Sequence, residues 1–141
     1  MDDSGNKKVL VTGSSGFIGS HVVREFINLG YEVVGVSRSE QGGSHVMRDI
    51  SGDTDWSDVL EDIDIVIHCA AAVHQMELSE SALISYQRLN VDGTLNLAEQ
   101  AKASVKRFIF LSTIKVNGEE TFDEKFFADD VPNPIDSYGR S

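Results

Sequence analysis

Three closely spaced glycines could bind phosphate groups. Gly13, Gly16 and Gly19 lie between a short apolar run and an amphipathic segment. Gly13 permits a tight turn, Gly16 lets the backbone approach a pyrophosphate, and Gly19 allows a helix to pack closely on a strand. The first turn of that helix would add unpaired N–H groups and a partial positive charge. The pattern predicts a dinucleotide site on residues 12–19, and the alternative is a purely structural turn. The other residues of this predicted loop site are Ser15, Phe17 and Ile18.

The residues that follow the second predicted strand bear on the choice of dinucleotide. An acidic residue about 20 positions beyond the glycine loop would bind the ribose hydroxyls and select NAD. Ser37 stands there instead, and Arg38 follows it. An arginine can bind a 2′-phosphate through charge-assisted hydrogen bonds, which favours NADP. The alternative is that Arg38 stacks on adenine or faces solvent while Glu40 binds the ribose, so NAD and NADP both remain open.

Strand and helix patterns alternate along the chain and would position these residues. Apolar, β-branched runs predict strands at 9–11, 32–36, 46–47, 63–69 and 107–111. Helical spacing predicts helices at 17–29 (ended by Gly30), weakly at 57–62, and at 80–103. Continuous apolar strands separated by helices indicate parallel pairing with both sheet faces covered. The predicted fold is α/β: an open, doubly wound, Rossmann-type parallel sheet in one domain, 1–141.

The pattern weakens after residue 111. The segment 119–131 is acidic and loop-like, with Phe122, Phe126 and Phe127 interspersed. It is either a loop on the substrate side or a surface segment pinned by aromatic anchors, and we favour the second interpretation. No terminating element precedes Ser141.

Composition excludes several classes of protein. The chain has 141 residues and a net charge of −11, so nucleic acids and anionic membranes would be repelled. No apolar run approaches the roughly 18 residues that a membrane span needs. The first residues also lack the apolar core of a secretory signal. We expect a cytoplasmic protein with no membrane and no nucleic-acid partner.

Cysteine and histidine residues do not predict a metal site. Cys69 is the single cysteine of the chain and lies in an apolar run, so we expect a small buried residue rather than a reactive thiol. None of the histidines is spaced with an acidic partner as metal ligands are. We expect His68 to pack near the cofactor cleft and His21 to lie on the surface. The other two histidines are His45 and His74.

Five ordered motifs resemble those of one enzyme family. Residues 12–19 resemble TGxxGFIG, 68–71 HxAA, 90–97 NVxGTxNL, 110–118 FxSSxxVYG, and 137–141 the start of YGxSK. The chain is similar in this respect to the extended short-chain dehydrogenases/reductases, the NAD-dependent epimerase/dehydratase family. Residues 72–76 and 112–119 also resemble a bacterial subgroup related to UDP-glucose 4-epimerase. That subgroup includes UDP-N-acetylhexosamine 4-epimerases and 4-keto-reductases.

The resemblance implies roles for particular residues. It makes Tyr138 the catalytic base and Thr113 the residue that orients the substrate hydroxyl. A free tyrosine has a pKa of about 10, so a nearby positive charge must lower it. The family uses a lysine four residues later, which would be residue 142, and we assign no role to Lys115 or Arg140. Because Tyr138 is close to Ser141, we expect it to be poorly positioned in this chain.

The resemblance also implies contacts with the cofactor. Asp49 would bond the exocyclic amine of adenine, and Ile50 would pack on the base. The segment after the fourth strand would run alongside the cofactor. The remaining residues of this implied cofactor site are Cys69, Ala70, Ala71, Asn90 and Ser112.

The implied function is hydride transfer at C4 of a UDP-hexose or UDP-N-acetylhexosamine, as in a 4-epimerase. One alternative is an NADPH-dependent 4-keto-sugar-nucleotide reductase. Two others are a non-catalytic NAD(P)-binding sensor and an interaction domain without a cofactor. The implied partner is a nucleotide-sugar substrate, and analogy with the family adds a homodimer through residues 80–103. The resemblance also implies that the chain is the amino-terminal portion of a longer enzyme, with the carboxyl-terminal substrate domain absent from this chain.

Overall fold

The computed structural model describes residues 7–39, 41–73 and 79–141. Several sequence-based predictions lie outside these ranges. They concern the first residues, the alternative ribose ligand Glu40, His74, and most of the subgroup match at 72–76.

Strands in the described part of the chain form one parallel sheet in the order β3-β2-β1-β4-β5. This arrangement confirms the predicted doubly wound α/β fold. From β1 the chain first adds β2 and β3 on one side of the sheet and then β4 and β5 on the other. The switch point of this topology lies between β1 and β4, at the carboxyl ends of the strands. Ligands of such sheets bind in the crevice outside that edge. The strands are β1 (Lys8–Thr12), β2 (Glu32–Ser37), β3 (His45–Met47), β4 (Ile65–His68) and β5 (Arg107–Phe110).

Helices flank the sheet near the predicted positions. The first, α1, ends as predicted, because Gly30 follows it with a positive φ of 84°. The predicted helix 80–103 is continuous from Glu80 to Ala101, but its middle is a π-helix. The helical elements are α1 (Phe17–Asn28), α2 (Glu80–Ser85), the π segment (Tyr86–Gly93), α3 (Thr94–Ala101), a 3-10 turn (Ile114–Val116) and α4 (Ser137–Arg140).

The weak helix predicted at 57–62 is wrong. The amides of Val59 and Leu60 both bond to the carbonyl of Trp56, which makes successive turns. The reason is tertiary, since the Trp56 amide donates to the side chain of Gln100 on α3 at 2.9 Å. Asp62 then has a positive φ of 62°, which ends any helical path before β4.

Alternating strand residues fill two cores, one on each face of the sheet. Val9, Val11 and Ile67 pack beneath α1, while Leu10 and Val66 face Trp56 and Leu97 on the opposite side. Helical cover is incomplete at β5, where Ile109 and Phe110 are 38% and 51% exposed. The two cores hold the carboxyl ends of β1 and β4 rigidly beside the start of α1.

Candidate active site

The glycine loop connects β1 to α1 through a tight turn. Gly13 has a φ of 66°, and a Cβ atom there would lie 2.8 Å from the amide nitrogen of Ala70. The Gly16 amide donates to the Gly13 carbonyl at 2.9 Å. Gly16 is also the N-cap of α1 and provides no side-chain cap. The loop is therefore a cradle that side chains would fill, and it presents the amino end of α1 to the cleft.

Gly19 serves a different purpose from the predicted one. A Cβ atom on Gly19 would collide with the carbonyl group of Gly13 and lie 3.1 Å from Ser14 Cα. Gly19 therefore lets α1 pack on the glycine loop itself, where the motif suggested packing on a strand.

A cavity of about 190 Å³ opens beside this loop. It brings together most of the predicted cofactor residues, from the loop, the end of β2, the segment after β3 and the end of β4. Arg48 and Leu89 also line it, and the sequence analysis missed both. The sequence offered one signal for each of them, which was its position in the chain. Arg48 directly precedes the Asp49–Ile50 pair, and Leu89 directly precedes the Asn90 motif. The predicted residues that line the cavity are Gly13, Ser15, Gly16, Ser37, Arg38, Asp49, Ile50, Cys69, Ala70 and Ala71.

Three predicted loop residues do not line this cavity. Gly19 is buried under the loop, as described above. Phe17 and Ile18 begin α1 with their side chains 84% and 55% exposed. Their predicted contacts with a cofactor would therefore involve the backbone of the first helical turn.

Three arginines surround the end of this cavity near β2, and two are paired. Arg48 binds both carboxylate oxygens of Asp58 at 2.8 Å, which raises the arginine's pKa. Arg88 bonds Oδ2 of Asp49 at 2.6 Å, so the carboxylate predicted to bind adenine already has a cationic partner. Arg38 is exposed, and its guanidinium has no ion-pair partner within residues 7–39, 41–73 and 79–141.

Ser37 is buried and its hydroxyl is engaged locally. Its Oγ donates to the carbonyl of Ser39 at 2.8 Å and lies 2.9 Å from Nε2 of His45. An anion arriving at this edge would therefore meet Arg38 first.

His68 lies at the end of β4, beneath the cleft, as predicted. Its Nδ1 is 2.6 Å from Thr12 Oγ1, and its Nε2 is 2.9 Å from Thr94 Oγ1. Burial lowers the pKa of His68 to about 4, so the ring is neutral at physiological pH. Cys69 is half-buried and lines the first cavity, so the expectation of a buried residue is only partly met; burial raises the pKa of its thiol.

A second cavity, of about 310 Å³, adjoins the first and shares Ala70 and Ala71 with it. Its lining includes the predicted catalytic residues Thr113 and Tyr138. The predicted cofactor residues Ser112 and Asn90 line it too. The two cavities therefore adjoin each other at Ala70 and Ala71, and together they make up the cleft along the carboxyl ends of β1, β4 and β5.

Asn90 connects the walls of this cleft. Its Oδ1 accepts from the Ala72 amide at 2.8 Å, and its Nδ2 donates to the Ala72 carbonyl at 3.1 Å. The same Nδ2 donates to Ser141 Oγ at 2.9 Å. Asn90 lies in the π segment, a helical form common at functional sites. Its direct contact with a cofactor stays a prediction.

Tyr138 is held in place, contrary to our expectation of a poorly positioned end. It lies on α4, whose N-cap Asp136 accepts from the Gly139 amide at 2.6 Å. Its ring centroid is 5.9 Å from that of Tyr86 in the π segment. The expectation was based on chain position alone, and these tertiary contacts overrule it.

The three phenylalanines of the loop 119–131 differ in how far they are buried. Phe126 is half-buried, and its Cζ would be 3.2 Å from a Cβ atom on Gly118. Phe122 and Phe127 are 86% and 60% exposed. The predicted aromatic anchoring therefore holds for Phe126 and is wrong for the other two.

Clusters of metal ligands and membrane-spanning helices are both absent from the part of the chain that the structure describes. Within residues 7–39, 41–73 and 79–141, no three histidine, cysteine or acidic side chains are grouped as a metal ion would require. The same ranges contain no helix with the length and hydropathy of a membrane span.

The parallel sheet and its glycine loop define a Rossmann-type domain. A model of the NAD dependent epimerase/dehydratase family matches residues 9–141. The chain belongs to this family, which confirms the resemblance carried by the five motifs.

The relatives include different enzymes. The chain is 40% identical over 143 residues to UDP-glucose 4-epimerase of Vibrio cholerae, covering 96% of this chain and 44% of that protein. It is 32% identical over 142 residues to a decarboxylating sterol-4-alpha-carboxylate 3-dehydrogenase of Dictyostelium discoideum, covering 91% and 42%. The solved structure of MoeE5 in complex with UDP-glucose and NAD matches with a TM-score of 0.81 and 36% identity, covering 94% and 44%. The chain thus spans less than half the length of these proteins.

Proposed function

We propose that the protein carrying this chain is an NAD(P)-dependent nucleotide-sugar 4-epimerase acting on a UDP-hexose or UDP-N-acetylhexosamine. The adjoining cavities are the main support, because Ala70 and Ala71 line both the glycine-loop cavity and the cavity of Thr113 and Tyr138. A dinucleotide extended along this cleft would have its two ends beside different sets of residues. The similarity to a UDP-glucose 4-epimerase favours this activity among those of the family.

The residues of the first cavity fit a dinucleotide. The glycine cradle would receive the pyrophosphate, since Gly16 is exposed and its Cβ position meets only the Gly13 carbonyl oxygen, at 3.2 Å. Asp49 and Ile50 would hold the adenine. The bound nicotinamide would supply the acceptor and donor of hydride.

Tyr138 and Thr113 would handle the substrate hydroxyl. Thr113 would orient the hydroxyl by a hydrogen bond, and Tyr138 would take its proton as the general base. The proton would return to the sugar oxygen from the same tyrosine. The resemblance also implies a lysine as residue 142, four positions after this tyrosine.

A net reduction is the second candidate, and Arg38 favours it. An arginine without an ion-pair partner among the described residues, beside the cavity's β2 end, suits the 2′-phosphate of NADPH. A 4-keto-sugar-nucleotide reductase would consume NADPH, whereas an epimerase returns the hydride to the sugar and consumes none.

One experiment on the protein at its full natural length separates these functions. UDP-glucose, UDP-galactose and their N-acetylated forms are incubated with enzyme, and products are identified by NMR. The 4-epimer without net loss of nicotinamide absorbance supports the epimerase. Stoichiometric loss of NADPH with a 4-keto substrate supports the reductase. Tight NAD(P) binding without turnover of any substrate would indicate a sensor.

A homodimer through residues 80–103 stays a proposal by analogy. The exposed apolar side chains Leu83, Ile84 and Leu95 lie on this segment and are 47%, 59% and 65% exposed. Sedimentation of the full-length protein, with Ile84→Glu as the variant, tests this surface. A monomeric wild type would contradict the proposal.

A further inference from the structure

Tyr138 lies on a helix that is too short to be stable alone. The helix α4 has four residues, whereas isolated helices of fewer than about 12–15 residues are marginal in water. Contacts with other elements must therefore set the orientation of Tyr138.

The carboxylate of Asp136 makes two such contacts with its two oxygens. Oδ1 accepts from the Gly139 amide at 2.6 Å and caps α4. Oδ2 accepts from Nζ of Lys115 at 2.8 Å. One side chain thus joins α4 to the 3-10 turn that carries Lys115.

The backbone of Lys115 also lies against α4. A Cβ atom on Gly139 would be 2.7 Å from the carbonyl oxygen of Lys115, so the two segments touch closely there. Lys115 is also bonded to Thr113, whose Oγ1 accepts from the Lys115 amide at 3.3 Å. A chain of short contacts therefore leads from Thr113 through Lys115 and Asp136 to the Tyr138 helix.

Opposite charges nearby keep both Lys115 and Asp136 ionised. Nζ of Lys115 also bonds both carboxylate oxygens of Glu119, at 2.8 and 2.9 Å. Asp136 and Glu119 raise the pKa of Lys115, and Lys115 lowers the pKa of Asp136. The side chains of Lys115 and Asp136 are 38% and 36% exposed, so water screens the pair and its contribution to stability is small. Its main effect should be on geometry.

We infer that Lys115 and Asp136 are positioning residues that fix Tyr138 relative to Thr113. The inference rests on the proposed function of those two residues. Neither Lys115 nor Asp136 needs to touch the substrate. A misplacement of about 1 Å in a catalytic group can cost about 100-fold in rate, so a weak ion pair can matter greatly to turnover.

The test uses variants of the full-length protein. Lys115→Met removes the cation, and Asp136→Asn removes the carboxylate charge while keeping an equally good N-cap. Lys115→Arg keeps a positive charge at position 115. Lys106→Met is the matched control, because its Nζ makes an ion pair of the same 2.8 Å length with Asp64. That pair lies at the amino end of β5, away from the cleft.

We expect kcat to fall at least about tenfold in Lys115→Met and in Asp136→Asn, with KM changed less than about twofold. The double variant should lose no more than either single variant, because the two residues act as one unit. Lys115→Arg should recover most of the rate, and Lys106→Met should match the wild type. The pH profile of kcat/KM should keep its shape. Undiminished kcat, additive losses or a shifted profile would each overturn the inference.

Amide hydrogen exchange supplies a readout that does not depend on activity. Residues 136–141 should exchange faster in Lys115→Met and Asp136→Asn than in the wild type or Lys106→Met. Equal exchange in all four proteins would show that Lys115 does not hold α4 and would overturn the inference. A wild type without turnover would overturn the proposed function instead, while exchange would still decide whether Lys115 holds the helix.

Discussion

Oγ1 of Thr12 lies 2.6 Å from Nδ1 of His68, which joins the ends of β1 and β4 beneath the cleft. The same Oγ1 accepts from the Ala70 amide at 3.3 Å. On the other side of the ring, Nε2 of His68 lies 2.9 Å from Oγ1 of Thr94. Both strand ends and α3 are thus tied to one neutral ring.

This arrangement predicts that stability falls in mildly acidic solution. The unperturbed pKa of histidine is 6.5, and burial lowers that of His68 to about 4 in the folded protein. Between these values the unfolded chain binds a proton that the folded chain does not, so the free energy of unfolding decreases as pH falls. The decrease should reach at most about 3 kcal/mol. Urea denaturation at several pH values between 6.5 and 4 measures it.

His68→Asn is the informative variant for that prediction, because an amide oxygen can accept from Thr12 but does not titrate. It should be less stable at neutral pH and should lose much of the pH dependence in this window. His21→Asn, at an exposed position of α1, should keep the wild-type slope. A His68→Asn slope equal to that of the wild type would contradict the assignment.

A carboxylate on the glycine loop should abolish cofactor binding without unfolding the protein. The Cβ position of Gly16 meets only the Gly13 carbonyl oxygen, at 3.2 Å, and its φ is −76°. Gly16→Asp should therefore fold, yet its charge and bulk would oppose the pyrophosphate. Calorimetry should detect no NAD or NADP binding.

Two further variants separate charge from position in this test. Gly16→Ala should weaken binding less than Gly16→Asp, because it adds bulk without charge. Ser104→Asp adds the same charge in an exposed turn before β5 and should bind as the wild type does. Unchanged affinity in Gly16→Asp would mean that the pyrophosphate lies elsewhere.

Much of the fold could be predicted from sequence because local signals agree with the tertiary structure. Continuous apolar runs at 9–11 and 63–69 indicated buried parallel strands. β1 contains the first run and extends it by one residue at each end, and β4 is the centre of the second. The positive φ of Gly13 and the loop after β1 were likewise encoded by residue type. These features depend on neighbours in the chain, which a pattern can show.

The remaining features depend on residues that are distant in sequence. The turns at 57–62 follow from the bond between Trp56 and Gln100, and the need for glycine at position 19 comes from the nearby Gly13 carbonyl. The pairing of Lys115 with Asp136 arises because α4 folds back on the 3-10 turn. A cation in a variable motif position carries no local signal of such a partner.

Arg38 should govern the preference between the two dinucleotides. Charged hydrogen bonds contribute about 1.5–3 kcal/mol, so Arg38→Gln should weaken NADP binding by about 10- to 100-fold. NAD, which lacks the 2′-phosphate, should bind nearly as before. Arg24→Gln removes the same charge from an exposed position on α1 and should change neither affinity. Equal weakening of NAD and NADP in Arg38→Gln would instead support stacking on adenine.

Replacing Gly93 should affect both the packing of the π segment and the adenine end of the cleft. A Cβ atom there would lie 2.6 Å from Cγ2 of Ile50 and 3.2 Å from the amide nitrogen of Ser51. Ile50 is β-branched and buried, so it has few alternative rotamers with which to relieve the overlap. Gly93→Ala should lower the free energy of unfolding by about 1–3 kcal/mol, although alanine favours helices.

Displacement of Ile50 should also weaken binding of AMP, measured by calorimetry, because this residue lines the first cavity. Gly42→Ala is the control. Apart from its two chain neighbours, no heavy atom of the described residues lies within 4 Å of the Gly42 Cβ position. The control should keep both stability and AMP affinity. A Gly93→Ala protein that is as stable as the wild type would show that the π segment can shift away from Ile50. Normal AMP affinity in a destabilised Gly93→Ala protein would separate Ile50 from the adenine site.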